Sequence, residues 1–136
     1  MKRKIGILAV LVSVAVVVAA CGPPVSDLRD SFAQQLSANK FIKDFHRSGD
    51  DLTFTGPGAD GGVAKWRVHI DSVLVEQNGD PAQPYKGTVK SSWFSDDKPV
   101  LPRGRDSHLP IELIANGLGQ ECWALWQQAE KRWSWE

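Results

Sequence analysis

Two residues near the middle of the chain have side chains that could move protons. His69 and Asp71 stand two positions apart, and alternate residues of a β-strand point to the same side of the sheet. An imidazole beside a carboxylate can perform general acid–base chemistry, and folding could add His46 or His108 to the pair. The same spacing also fits the polar side of a half-buried strand. His69 and Asp71 are therefore the candidates for catalysis, with the solvent-facing strand as the alternative interpretation.

The sequence shows no spacing of histidines or other ligand residues that predicts a bound metal ion or cofactor. The chain has three histidines, and no two of them lie at the helical spacing that a metal site would use. We expect neither a metal nor a cofactor.

Tryptophan occurs six times among the 136 residues. Four of the six lie near the end of the chain: Trp123, Trp126, Trp133 and Trp135. Exposed indole rings can stack on sugar rings or pack on a protein, so these four are candidate binding residues. Buried rings instead supply a small core with apolar area, because each removes about 150–250 Å² from water. The sequence favours the core and leaves the binding surface as the alternative.

The two cysteines, Cys21 and Cys122, have different expected roles. Cys122 lies in an apolar run and lacks the sequence signature of a catalytic nucleophile. We expect it to be buried as a small apolar side chain. Cys21 directly follows the secretion signal described below and has a separate expected role there, so no pair remains for an internal disulfide.

A helix is predicted at the start of the folded region. Ser26 is its candidate N-cap, and an apolar residue recurs at every fourth position after it. These apolar residues are Leu28, Phe32 and Leu36. A second apolar set predicts that residues 38–46 are helical as well, ending at Gly49. Residues 39–40 could be a bend between two helices or part of one helix.

From residue 50 onward the apolar residues recur at every second position, which is the period of a half-buried strand. The series are Leu52 and Phe54; Trp66, Val68 and Ile70; and Tyr85, Gly87, Val89, Ser91 and Trp93. Between Ile70 and Val73 the apolar phase slips by one residue, which predicts a β-bulge at Asp71-Ser72. Turn-forming residues at 56–62 and 77–84 separate the strands.

The last third of the chain is less regular. Residues 95–110 predict a long loop with at most a brief extended piece, and residues 109–118 predict one or two helical turns that close at Gly117. The tail could form a helix or a hairpin in which residues 121–127 pair with residues 131–135. Tryptophan prefers strands, which favours the hairpin.

These elements predict an α+β fold for residues 26–136, with an N-terminal helix packed on a four- to five-stranded antiparallel sheet. Their order is loosely similar to that of cystatin-like and nuclear-transport-factor-like domains, in which an N-terminal helix packs into a curved sheet. The similarity concerns element order alone and implies no function.

The first twenty residues have the pattern of a secretion signal. Residues 1–4 are basic, and residues 5–18 are almost wholly apolar. The apolar run is shorter than the roughly 20 residues of a membrane-spanning helix, and Gly22-Pro23-Pro24 would break any continuation. A cleaved signal is therefore favoured over a permanent membrane helix.

The segment Val18-Ala19-Ala20-Cys21 resembles the lipobox of bacterial lipoproteins, in which a branched apolar residue and two small residues precede a cysteine. The resemblance covers residues 1–21 and implies that cleavage precedes Cys21, which then carries the acyl chains. Several chains on one residue hold a protein stably on a membrane, at about 0.8 kcal/mol per buried methylene. The alternative is an ordinary secretory signal followed by an incidental cysteine.

The resemblance also implies a location in the cell envelope. Residue 22 is glycine, whereas Gram-negative lipoproteins kept in the inner membrane favour aspartate there. The implied address in a Gram-negative cell is the outer membrane, facing the periplasm, with residues 21–25 as a short tether.

The charge of the exported part is nearly balanced. Three of the 16 basic residues lie in the signal, which leaves 13 basic against 16 acidic residues. Such a balance does not predict a positively charged surface that would bind nucleic acid. We expect a non-catalytic envelope lipoprotein that binds another envelope protein or a glycan, in an oligomeric state that the sequence leaves open. The alternative is a small ligand-pocket or hydrolase-type domain using His69 and Asp71.

Overall fold

The fold is that of a computed structural model, which describes residues 23, 25–100, 102–103, 106–107 and 109–136. Two helices are present in these residues, α1 (Val25–Ser37) and the single turn α2 (Ile111–Ile114). The strands are β1 (Lys43–Ser48), β2 (Asp51–Pro57), β3 (Val63–Gln77), β4 (Tyr85–Ser95), β5 (Lys98–Pro99), β6 (Pro102–Arg103), β7 (Asp106–Ser107), β8 (Glu121–Gln127) and β9 (Arg132–Trp135).

One antiparallel sheet dominates the architecture. Its seven strands follow the order β1-β2-β3-β4-β8-β9, with β5 paired to β4, and the sheet curls on itself. Strands β6 and β7 form a separate two-stranded ribbon. The fold is therefore mostly β, and only 16% of the described residues are helical.

The predicted α+β fold, with a helix packed on a four- to five-stranded sheet, is wrong. The sheet has seven strands. The similarity to cystatin-like domains depended on the predicted element order, so it is wrong as well. Part of the error lies in residues 38–46, which were predicted to be helical. In the structure Lys43–Ser48 is the edge strand β1, antiparallel to β2.

Strand β1 is hard to recognise because a bulge interrupts it. Asp44 adopts a φ of 56°, and the pairing with β2 shifts between Lys43 and His46. Only Phe45 is partly buried among the residues of this strand. The alternation that marks a strand is therefore absent, and the nearby apolar side chains of Phe41 and Ile42 imitate helical spacing.

The two longest strands, β3 and β4, pair along most of their length and form the centre of the sheet. Their pairing shifts between Ile70 and Ser72, which confirms the predicted bulge. The alternating residues of β4 are buried on one side, as their period predicts.

The core lies on the inner face of the curled sheet. It contains side chains from β2, β3, β4, β8 and β9 together with one face of α1. The helix contributes Leu28, Phe32, Ala33 and Leu36. A Cβ atom added to Gly87 of β4 would lie 2.7 Å from Leu28 Cδ2, so the helix approaches the sheet closely where this strand has no side chain.

The tail forms the predicted hairpin rather than the alternative helix. Trp126 of β8 pairs with Trp133 of β9. Lys131 adopts a φ of 57°, and its N–H donates to the carbonyl of Gln127 at 2.7 Å, so the turn closes without glycine or asparagine. The predicted helical turn is present as α2, which ends at Ile114, and Gly117, with a φ of 92°, closes the turn that follows it.

Within the part of the chain that the structure describes, no helix is long and apolar enough to cross a membrane. The predicted signal, residues 1–20, and the predicted lipidation site Cys21 lie outside the described residues.

Candidate binding surface

Strand pairing sorts the polar residues onto the outer face of the sheet. Three of the cross-strand rows on this face are Thr53, Arg67 and Phe94; Asp51, His69 and Ser92; and Leu74, Thr88 and Trp123. Neighbours within such a row have Cβ atoms about 4.5–5.5 Å apart and can interact directly. The candidate residues from the sequence must therefore be judged with their row neighbours.

His69 and Asp71, the two candidates for catalysis, have different hydrogen-bond partners across the sheet. His69 Nδ1 lies 2.9 Å from Asp51 Oδ1 across strands β2 and β3. Asp71 Oδ2 instead accepts a hydrogen bond of 2.6 Å from Ser92 Oγ. Ser92 is also the register neighbour of His69, so both contacts lie on the outer face, but the two candidates do not share a partner.

The row of Asp51, His69 and Ser92 has the order of an acid, a base and a nucleophile. A serine nucleophile donates its proton to the base, whereas the Ser92 hydroxyl donates to Asp71. The side chains of His69 and Asp51 are also nearly half exposed, on an open strand face. The arrangement thus consists of two separate surface contacts, His69 with Asp51 and Ser92 with Asp71. The partners Asp51 and Ser92 could be found only from strand register.

Of the other two histidines, the structure describes only His46, which does not join these contacts. His46 lies on the edge strand β1, where it pairs with Thr53 in the neighbouring row. His108 lies outside the described residues. The described residues hold no group of three His, Cys, Asp or Glu side chains that could bind a metal ion.

Buried tryptophans form the aromatic core. Trp66 and Trp93 are almost wholly buried, and their rings meet edge to face with centroids 6.0 Å apart. Trp133 is buried as well and meets the half-buried Trp126 edge to face at 5.4 Å. Trp135 is half-buried, and its Nε1–H donates to a serine of α1 at 3.0 Å. The core interpretation therefore describes most of the indole rings.

Trp123 differs from the other tryptophans because it points to the outer face and is 47% exposed. Lys86 Nζ lies 5.1 Å from the centroid of its ring, within the range of a cation–π contact. Leu74, at the other end of the same row, is 54% exposed. We call Leu74, Lys86, Thr88 and Trp123 the outer patch. It offers an aromatic face, apolar area and two hydrogen-bond donors.

A separate open groove of about 440 Å³ lies beside strands β2 and β3. Asp44, Asp96 and Asp97 line it together with Lys65 and Arg67. One of these carboxylates has a structural role, because Asp96 Oδ1 accepts a hydrogen bond of 3.0 Å from the backbone N–H of Lys65. Because the groove carries both negative and positive side chains, its charge does not favour one kind of ligand.

Cys122 is buried, as expected. Burial raises the pKa of its thiol from the ordinary value of 9.0 to about 12. The Sγ atom lies 3.9 Å from the carbonyl oxygen of Val89, inside the core. A thiol that stays protonated and enclosed cannot act as a nucleophile at neutral pH.

No protein-family model, curated protein or solved structure matches this chain. The function therefore has to be inferred from the residues of the chain itself.

Proposed function

We propose that this protein is a lipid-anchored lipoprotein of the bacterial cell envelope whose outer patch binds a glycan of the envelope. The sequence Val18-Ala19-Ala20-Cys21, after a basic and then apolar segment, supports the anchor. The exposed ring of Trp123 is the single observation that carries the binding role.

An exposed indole ring keeps apolar surface in water that a bound ligand could bury. About half of its roughly 200 Å² remains in water, which corresponds to about 2–3 kcal/mol of apolar burial that a ligand could supply. The ring is also held in place, since Lys86 lies over it and Thr88 stands opposite it in register. A pre-positioned ring loses little conformational freedom when a ligand covers it.

The charges around the outer patch favour a ligand with little net charge. Glu76 pairs in register with Lys86 on one side, and Lys90 pairs with Glu121 on the other. These opposite charges balance, so the surface does not select a strongly anionic or cationic partner. Neutral sugar rings, with an apolar face and hydroxyl groups, fit the combination of an indole ring, a hydroxyl and an ammonium group.

The anchor is tested by mass spectrometry of the protein isolated from membranes. We expect an acylated N-terminus at Cys21, and we expect Cys21→Ser to remain unprocessed or soluble. A mature protein that begins elsewhere, without acyl chains, would contradict the proposed anchor.

The binding role is tested by co-sedimentation of the membrane-extracted protein with isolated cell-wall glycan. Trp123→Ala should reduce binding at least about tenfold, which corresponds to about 1.4 kcal/mol. Ile111→Ala is the matched control, because Ile111 is also apolar and is 73% exposed but lies on α2. Equal binding by both variants would exclude the outer patch.

A protein partner would be distinguished by photo-cross-linking in cells. A photoreactive residue at Thr88, in the middle of the outer patch, should give no discrete protein adduct if a glycan is the ligand. A single adduct formed at Thr88 and absent at Ile111 would replace the glycan with a protein.

A further inference from the structure

The position at which α1 begins determines which part of the domain lies near the lipid anchor. This inference rests on the proposed function, because it takes Cys21 as the acylated residue. Helix α1 begins at Val25, four residues after that cysteine. Consecutive Cα atoms are about 3.8 Å apart, so Val25 lies within about 15 Å of the anchored residue.

The direction of α1 then identifies the end of the sheet that is held close to the membrane. Near the start of the helix, Leu28 packs against Gly87, close to the beginning of β4. Near the end of the helix, Gln35 Nε2 donates to the carbonyl of Asn116, beside α2, at 2.9 Å. The helix therefore points its first residue, Val25, toward the beginning of β4.

Two connections form the surface at this end of the sheet. Residues 78–84 join β3 to β4, and residues 128–131 join β8 to β9. The backbone N–H of Gln128 donates to the carbonyl of Ala82 at 3.1 Å, and Gln83 Nε2 donates to Gln127 Oε1 at 3.3 Å. The two connections are thus joined. We call residues 78–85 and 126–132 the anchor end.

The anchor end has side chains suited to the membrane interface. Tyr85 and Trp126 are both half-buried and pack against the edge of the core. Trp126 Nε1–H donates to Gln128 Oε1 at 3.2 Å on the exposed side. Rings with an apolar body and a polar tip are enriched at the headgroup level of membranes.

The charges of the anchor end are balanced. The charged residues there are Asp80, Glu130, Lys131 and Arg132. Arg132 and Glu130 form an ion pair at 3.0 Å. Attraction to the membrane surface therefore does not depend on anionic lipids.

We propose that the anchor end lies against the leaflet that carries the lipid anchor, so that the lipid surface is its partner. The turn at residues 58–62 then points away from the membrane. It leads into the first residue of β3, whereas the anchor end follows the last residue of that strand. Strand β3 has 15 residues, which at about 3.3 Å per residue separates its two ends by up to about 50 Å along the strand. The outer patch, on the face of the sheet, stays accessible.

Fluorescence quenching in vesicles tests this orientation. The acylated protein is placed in phosphatidylcholine vesicles that contain a lipid with a nitroxide on its headgroup. A fluorophore is attached at Ala82→Cys, in the anchor end, or at the matched exposed alanine Ala59→Cys, in the turn at residues 58–62. Labelling is selective, because Cys122 is buried and Cys21 is acylated. Quenching should be several-fold stronger at residue 82 than at residue 59.

Equal quenching at the two positions, or stronger quenching at residue 59, would overturn the orientation. Addition of anionic lipid should leave the ratio unchanged, and a ratio that depends on anionic lipid would overturn the argument from balanced charge. A disulfide-linked dimer of unlabelled Ala82→Cys would show that a second copy covers the anchor end instead.

The same samples separate this inference from the proposed function. Mass spectrometry that finds no acyl chain on Cys21 would remove both the anchor and the orientation. An acylated Cys21 together with the wrong quenching ratio would overturn the orientation alone.

Discussion

On the inner face of the sheet, Trp93 is almost wholly buried against Trp66, whereas on the outer face Trp123 keeps 47% of its surface in solvent. The residue type is the same, and only the side of the strand differs. On the inner face the ring stabilises the fold. On the outer face it contributes little to folding and remains available to a ligand. The number of tryptophans in a sequence therefore does not distinguish a core from a binding surface.

Trp93→Ala should have the largest effect on folding. It removes a ring that packs on Phe54 and Trp66, and it also removes the Nε1–H that donates to Ser91 Oγ at 2.9 Å. We expect the free energy of unfolding to fall by about 3–5 kcal/mol. Urea denaturation followed by circular dichroism measures this loss, with Trp93→Phe as the milder control. A loss below about 1 kcal/mol would contradict the core role of the inner face.

Gly87→Ala should have an intermediate effect. The new methyl group would lie 2.7 Å from Leu28 Cδ2 and 3.1 Å from the Trp133 ring, so helix or ring must move. Overpacking of this kind costs about 1–3 kcal/mol. Gly119→Ala is the control, because a Cβ there would meet no atom within 4 Å. Equal melting temperatures for the two variants would show that α1 can shift freely.

Cys122 should make folding depend on alkaline pH. Its pKa is raised in the folded state from 9.0 to about 12. Below pH 9 both states keep the proton, and the stabilisation is fully present. As the pH rises toward 12, the unfolded chain loses the proton first, so the free energy of unfolding falls.

This dependence is measured by denaturation of the parent protein and of Cys122→Ala at several alkaline pH values. The difference between the two proteins should shift in favour of the variant as the pH rises. A difference that stays constant with pH would mean that solvent reaches the thiol in the folded protein.

Trp123→Ala should have the smallest effect on folding. The ring is half exposed, and its contact with Lys86 is worth about 0.5–1 kcal/mol. We expect a loss of at most about 1 kcal/mol by urea denaturation. A loss as large as that of Trp93→Ala would erase the difference between the two faces.

The centre of the sheet could be predicted from sequence because burial imposes a period of two on it. The slip between Ile70 and Val73 located the bulge for the same reason: a bulge changes which side of the strand faces the core. The hairpin of the tail was also predictable, although its turn depends on the positive φ of Lys131 rather than on a typical turn residue.

The edge of the sheet could not be predicted in this way. Strand β1 buries only part of Phe45, so burial imposes no period on it, and the bulge at Asp44 removes what remains. The pairing of His69 with Asp51, and of Asp71 with Ser92, depends on register between strands. Sequence spacing within β3 cannot supply that register.

The bulged edge strand β1 also bears on how copies of the protein behave beside one another. The proposed anchor would bring molecules together often on one membrane, with their sheets similarly oriented, which favours the joining of exposed strand edges. An edge that is kinked and charged is a poor template for such pairing. Strand β1 has its kink at Asp44, carries exposed charged residues, and is tied back to α1 by the ion pair of Arg47 with Asp30 at 2.8 Å. The geometry of this edge therefore disfavours strand pairing between neighbouring copies, even when the copies are crowded together.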